Sequence, residues 1–174
     1  MREQQIISKL FCIFAGMKHG IRLFGLLRII WRARRPSLLT DMPALPGGFW
    51  MRRGYTAMTF FGTIITQNVK EAETLNSRLT TIKNHEMIHL RQAQSTGDSW
   101  WRFYRLYLRY WWQGWRQRKH YPNAGYRLNP FEMEAYEHMN DLHYLNMCRE
   151  GATGWKRYAR MTIEERNTHS RQTF

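Results

Sequence analysis

The apolar positions of the chain fall into periodic runs separated by Gly- and Pro-rich breaks. In IRLFGLLRIIWRARR, residues 21–35, Leu23, Phe24, Leu26, Leu27, Ile30 and Trp31 share one helical arc, with Arg22, Arg28 and Arg32 opposite. That spacing predicts a basic amphipathic helix. RRPSLLTDMPALPGG follows, with three prolines and a Gly-Gly pair, and predicts a loop that sets an N-terminal helical arm, residues 1–36, apart from the rest. FWMRRGYTAMTFFGTIITQN, 49–68, is rich in Thr, Ile, Phe and Tyr and punctuated by Gly54 and Gly62, which predicts two short strands or one bent one. After the polar VKEAETLNSRLTT, Thr80 or Thr81 is the predicted N-cap of a helix carrying NHEMIHLRQAQ, with Gly97 and Asp98 closing it. In the next helix, 99–119, Trp100, Phe103, Tyr104, Tyr107, Leu108, Trp111 and Trp115 recur on one side. Arg102, Arg105, Arg109 and Arg116 form a narrow stripe on the other, and the pattern predicts a core helix buried over most of its girth. HYPNAGYRLNP breaks the chain before a last helix beginning near Phe131, and residues 161–174 read as a polar, frayed tail. The whole predicts an α+β fold: a mostly helical domain over 37–160 with a short sheet from about residue 50 to 66.

Composition narrows the class. A chain of 174 residues with 43% apolar and 15% aromatic content suits one folded domain and excludes a disordered tail. Its 27 Lys+Arg against 13 Asp+Glu give +14, which draws phosphate, whether of nucleic acid or of lipid headgroups. The amphipathic arm makes an anionic membrane surface a candidate partner. Nucleic acid is the weaker alternative, since the sequence contains no recognised nucleic-acid module. Cys12 and Cys148 have no CxxC pairing, which predicts reduced thiols and a cytoplasmic location, with the arm offering a peripheral hold on the inner membrane. IISKLFCIFAG resembles a short signal segment, but Lys9 interrupts it and KLFC lacks the small residue of a lipoprotein cleavage site, so it is expected to be retained. No run reaches the roughly 18 apolar residues of a spanning helix.

The chemistry concentrates in NHEMIHLRQAQ, 84–94. His85 and His89 are four apart, so on a helix they stand one above the other and can offer two imidazoles to one ion. Glu86 lies beside the first without ligating and can act as general base on a metal-activated water. With 7 His and 10 Glu in the chain, chance would produce HExxH on the order of 1–2% of the time, so accident is a weak rival. The third ligand decides the class. Gln92 and Ser95 stand where a metzincin would need Gly and His, which closes that option. NPFEMEAYEH, 129–138, supplies Glu132 and Glu134 after a proline helix start. The two differ by about 200° around a helix, so only one can face the ion and the other is expected to face solvent or the Arg-rich surface. His120, His138 and His143 stand singly near helix ends or on mixed faces. Tyr126 and Arg127, just before the glutamate helix, are candidates for stabilising an oxyanion, beside the plainer readings of a packing tyrosine and a surface arginine.

NHEMIHLRQ, an aromatic helix, GYR and PFEMEAY together resemble the small gluzincin-like proteins of bacteria, in which HExxH is followed by an ExEA helix. The wider gluzincin group includes membrane-associated peptidases and thermolysin. The resemblance covers roughly residues 50–140 and implies a zincin-like fold with Zn2+ held by His85, His89 and a glutamate of the second motif. The ExxAD form of the motif selects Glu132, and the NEA form would select Glu134. Tyr136 replaces the aspartate that usually orients a zinc histidine, and its phenol is expected to accept from the imidazole instead. The implied activity is that of a zinc metallopeptidase acting on a peptide or protein substrate through a zinc-activated water, with Glu86 as general base and the strand AMTFFGTII as the edge on which substrate pairs. The alternative is a non-catalytic zinc-binding scaffold.

Overall fold

The patterns that flank HExxH become three strands and eight α-helices among the residues that the computed structural model describes, 35–47 and 56–173. The architecture is α+β and mostly helical. The predicted arm lies outside the described residues except for Arg35 and Pro36, and Cys12 and Gly54 lie outside them too. Among the described residues, no helix is long and apolar enough to cross a membrane.

Strands β1 (Ala44–Pro46), β2 (Ala57–Phe60) and β3 (Thr63–Thr66) form one sheet in the order β1-β3-β2. β3 pairs parallel to β1 and antiparallel to β2, so among the described residues β2 is an edge. The two short strands expected around Gly62 are the β2–β3 hairpin. Its turn, Phe61-Gly62, has φ of 44° and 80°, the left-handed pair that a two-residue hairpin turn requires. Glycine adopts it freely, whereas Phe61 needs outside support. Its ring is buried against Phe60, Trp101 and Tyr104, and its N–H donates to the Tyr104 hydroxyl at 3.0 Å. β1 stands where the prolines predict loop. It forms despite them because the Asn76 side chain meets both the N–H and the C=O of Ala44, at 2.8 and 2.9 Å, while β3 pairs with the strand.

Helix α1 (Val69–Ser77) is capped by Asn68, and α2 (Thr81–Ser95) by Thr80, whose hydroxyl accepts from Lys83 N–H. α2 ends at Thr96, with Gly97 and Asp98 both at positive φ. Residues 83–90 are all buried, which makes α2 the central helix of the domain. α3 (Trp100–Arg116) leads through α4 (Ala124–Arg127) to α5 (Pro130–His138), where Asn129 caps and Pro130 takes the first turn. The core joins Phe60, Ile64, Met87, Leu90, Phe103, Phe131 and Trp155 from the sheet and from the helices.

Two expectations are corrected. α3 is not buried over most of its girth: Trp100, Phe103, Trp111 and Gly114 are buried, while Trp101, Leu108 and Trp112 are exposed. Its aromatic content exceeds what one packed face can take up, and Leu108 lies on the outer side. Nor is α5 the last helix or the end of the chain a frayed tail. α6 (Tyr144–Met147), α7 (Trp155–Arg160) and α8 (Ile163–Thr173) follow. α8 begins in a reciprocal capping box: Thr162 N–H donates to the Glu165 carboxylate at 2.7 Å, and Glu165 N–H to Thr162 Oγ1 at 3.2 Å. The helix is docked by Arg166, 3% exposed, whose guanidinium donates to the carbonyls of Tyr158, Leu128 and Ala159.

Candidate metal centre

Two helices build the centre. α2 sets His85 and His89 one turn apart, and α5 brings Glu132 across to them. Glu132 Oε2 lies 3.3 Å from His85 Nε2, and Oε1 lies 3.6 Å from His89 Nε2. One ligand atom from each of the three buried residues lies within 4.8 Å of the others. The crossing is fixed by Asn84, fully buried beside His85. Its Nδ2 donates to the carbonyls of His138, Met139 and Asp141 at 3.2, 2.9 and 3.0 Å, which holds the C-terminal end of α5 at one height against α2.

Glu134 turns away from the histidines, but not to solvent or to the arginines as expected. It is fully buried, accepting from Gln92 Nε2 at 2.7 Å, the Tyr144 hydroxyl at 2.7 Å and Gly154 N–H at 2.6 Å. α5 is covered on both sides, by α2 and by the segment leading into α7, so its second carboxylate has no route to water. A Cβ on residue 154 would come within 2.6 Å of Glu134 Oε1, which is why glycine stands there.

This second carboxylate acts on the centre through Gln92. The Gln92 amide nitrogen donates to Phe131 O at 2.9 Å and to Glu134 Oε2, so its oxygen is turned to His89 Nδ1, 2.7 Å away. An amide oxygen only accepts, so His89 Nδ1 carries a proton, and Nε2, on the side of Glu132, is the nitrogen left to give a lone pair to a metal ion. The ring is thereby held in the tautomer that a metal ligand needs. In the sequence, Gln92 serves only to rule out the metzincin pattern. Its place one turn after His89 is the signal for this role, but that signal means nothing until Glu134 is in position.

Other site residues fall into place around this core. Glu86 is buried, and Thr59 Oγ1, on the edge strand β2, donates to Glu86 Oε2 at 2.6 Å. The Tyr107 hydroxyl donates to Glu132 Oε1 at 2.7 Å. Neither Thr59 nor Tyr107 carries a motif that marks it for this role. Tyr136 does not take the place of the orienting aspartate. Its ring meets His85 edge to face at 4.6 Å, its hydroxyl pairs with that of Tyr126 at 3.0 Å, and His85 Nδ1 has no hydrogen-bond partner among the described residues. Burial, with the Glu132 charge second, pushes the Tyr126 phenol well above its ordinary range. Arg127 donates to Ser170 O at 3.4 Å and so ties α4 to α8. Of the single histidines, His138 stacks on Tyr144, and His120 and His143 are exposed.

The donor set fits a metal ion. Two imidazole nitrogens face a buried carboxylate whose Oε2 accepts no hydrogen bond, and two nitrogens with one oxygen leave a tetrahedral ion one open position. The charges agree. Burial alone would raise the Glu132 carboxyl, but His89 and His85 overcome it and hold it at about 2. Burial would lower His85, but Glu132 and then Glu86 raise it above its ordinary 6.5.

These shifts set opposite pH dependences for folding and for metal binding. In the metal-free protein, the His85 contribution to stability is complete below 6.5 and is lost as pH rises through the raised value. The Glu132 contribution is present above 4.5 and is lost as pH falls through about 2. Metal needs unprotonated His85, so its affinity falls as pH drops through that same raised value. Thermal melts of metal-free protein are therefore expected to lose stability above pH 6.5 while metal affinity, read by chelator competition, climbs. Parallel trends in the two measurements would remove His85 as the site of proton competition.

Compared with protein-family models, with curated proteins and with solved structures, the chain finds no match.

Proposed function

We propose that this protein is a zinc-dependent metallopeptidase of the gluzincin type, with His85, His89 and Glu132 holding the ion. The observation that carries the reading is the convergence of the two Nε2 atoms on Glu132, with the Glu86 carboxylate on the same helix held by Thr59. Zinc, when bound, would acidify a water and polarise the scissile carbonyl. The chain supplies the rest. Thr59 fixes one oxygen of Glu86, leaving the other to take a proton and later return it to the leaving amine. β2, which carries Thr59 and is an edge of the sheet among the described residues, would pair with an extended substrate backbone. Gln92 and Tyr107 hold His89 and Glu132 in the orientation that the reaction needs.

A second reading, a non-catalytic zinc scaffold, has one observation in its favour: His85, Glu86, His89 and Glu132 are each at most 6% exposed. Both readings require the metal. The purified protein is expected to hold about one zinc per chain by elemental analysis, and His89→Ala to lose it. Wild-type protein that folds normally and takes up no zinc when titrated would overturn both.

A further inference from the structure

The outer side of α3 has no place in the metal centre. Trp101, Leu108 and Trp112 are 62%, 36% and 47% exposed, large values for side chains of this kind. At 100° per residue, positions 101, 105, 108, 112 and 116 fall within about 80° of one another, roughly 130° round from the buried line of the helix. The face is therefore a strip of two tryptophans and a leucine some 16 Å long, by the roughly 1.5 Å rise per residue, with Arg105 within it, Arg116 one turn past its end and Arg102 and Arg109 beside it, all exposed.

We propose that this face of α3 is a docking surface for an anionic lipid bilayer. Tryptophan prefers the headgroup level of a membrane, where its ring is half buried and its N–H wet, and arginines beside it pair with lipid phosphate. A helix with this strip lies in the interface plane without crossing the bilayer. Charge complementarity favours an anionic partner, because the face carries arginines and the chain as a whole is +14. It disfavours the chain's own residues 1–34 as the cover, since that segment is also basic. Those residues join the described part at Arg35, and Ser37 is hydrogen-bonded to Asp98 at the start of α3 through both its N–H and its hydroxyl, each at 2.6 Å. Ser37 is thus tied to the turn that precedes Trp101. Single-stranded nucleic acid fits less well. Leu108 offers a base nothing to stack on, and Trp112 is already stacked on Trp115, which in turn lies under Arg118.

The test uses the full chain and vesicles of phosphatidylcholine with or without phosphatidylglycerol. Wild type is expected to float with the phosphatidylglycerol vesicles at low salt, to be released as salt rises, and to ignore phosphatidylcholine alone. Trp101→Ser, Leu108→Ser and Trp112→Ser combined should weaken retention by at least about tenfold. Arg105→Glu with Arg109→Glu, at two exposed positions, should do the same, with the circular-dichroism spectrum and zinc content of this variant unchanged. Wild type that binds no vesicle, or variants that bind as wild type does, would overturn the proposal. So would a single-stranded RNA oligonucleotide that binds through the same residues while vesicles do not.

Discussion

Glu132→Gln is expected to lose zinc while Glu134→Gln keeps it in weakened form. Each substitution exchanges one carboxylate oxygen for an NH2, on two sides of the same helix. The amide that replaces the Glu132 carboxylate can still accept from the Tyr107 hydroxyl, so the fold should survive, but a neutral amide is a poor third ligand and no longer balances the ion's charge. Affinity should fall by more than the roughly 10- to 100-fold that outer partners typically cost. Glu134 acts at one remove. As glutamine, it would keep its oxygen on Tyr144 and Gly154 and turn its NH2 toward the Gln92 NH2, donor against donor. Gln92 could relieve this by flipping, but it would then present a donor to His89 Nδ1 and drive the proton to Nε2, the atom needed for the metal. The expected loss for Glu134→Gln is therefore within about 10- to 100-fold. Isothermal titration with chelator competition reads both. Equal retention by the two variants would mean that Glu132 is not the ligand.

What could be read from the sequence follows from how local each cause is. The cap at Thr80, the stop at Gly97, the proline start of α5 and the hairpin around Gly62 are set by neighbours a few residues away, and periodicity finds such things. His85 and His89 belong with them, because four residues of one helix suffice to pair them. The α8 capping box, Thr162 with Glu165, is equally local but is obscured by the polar composition around it. Other features depend on contacts between distant segments. β1 exists because Asn76 comes back to Ala44, 32 residues away, and no local pattern announces it. Glu134 is a core residue only because Gln92, Tyr144 and Gly154 arrive from three other parts of the chain. A charged residue in a helix reads as solvent-facing unless its partners are known. α3 shows the converse: its aromatics read as core, although only some of them find anything to pack on.

Glu86→Gln separates catalysis from scaffolding. The substitution preserves size, and the Thr59 hydroxyl can donate to the new amide oxygen as it does to the carboxylate, so folding and zinc content should match wild type. What disappears is the ability to take up a proton. For a peptidase with Glu86 as general base, hydrolysis of quenched fluorescent peptides should fall by about 10²- to 10⁴-fold. The fall should appear in kcat, because the carboxylate acts on the proton being transferred and not on the bound backbone. Thr59→Val gives an intermediate case. It leaves Glu86 charged but loosely held, and a loss smaller than that of Glu86→Gln would place Thr59 as the residue that aims the base. A scaffold predicts a different pair of results: no hydrolysis by zinc-loaded wild type, and no measurable change on substituting Glu86. Hydrolysis by wild type that survives Glu86→Gln undiminished would leave the zinc site intact and take the base away from Glu86.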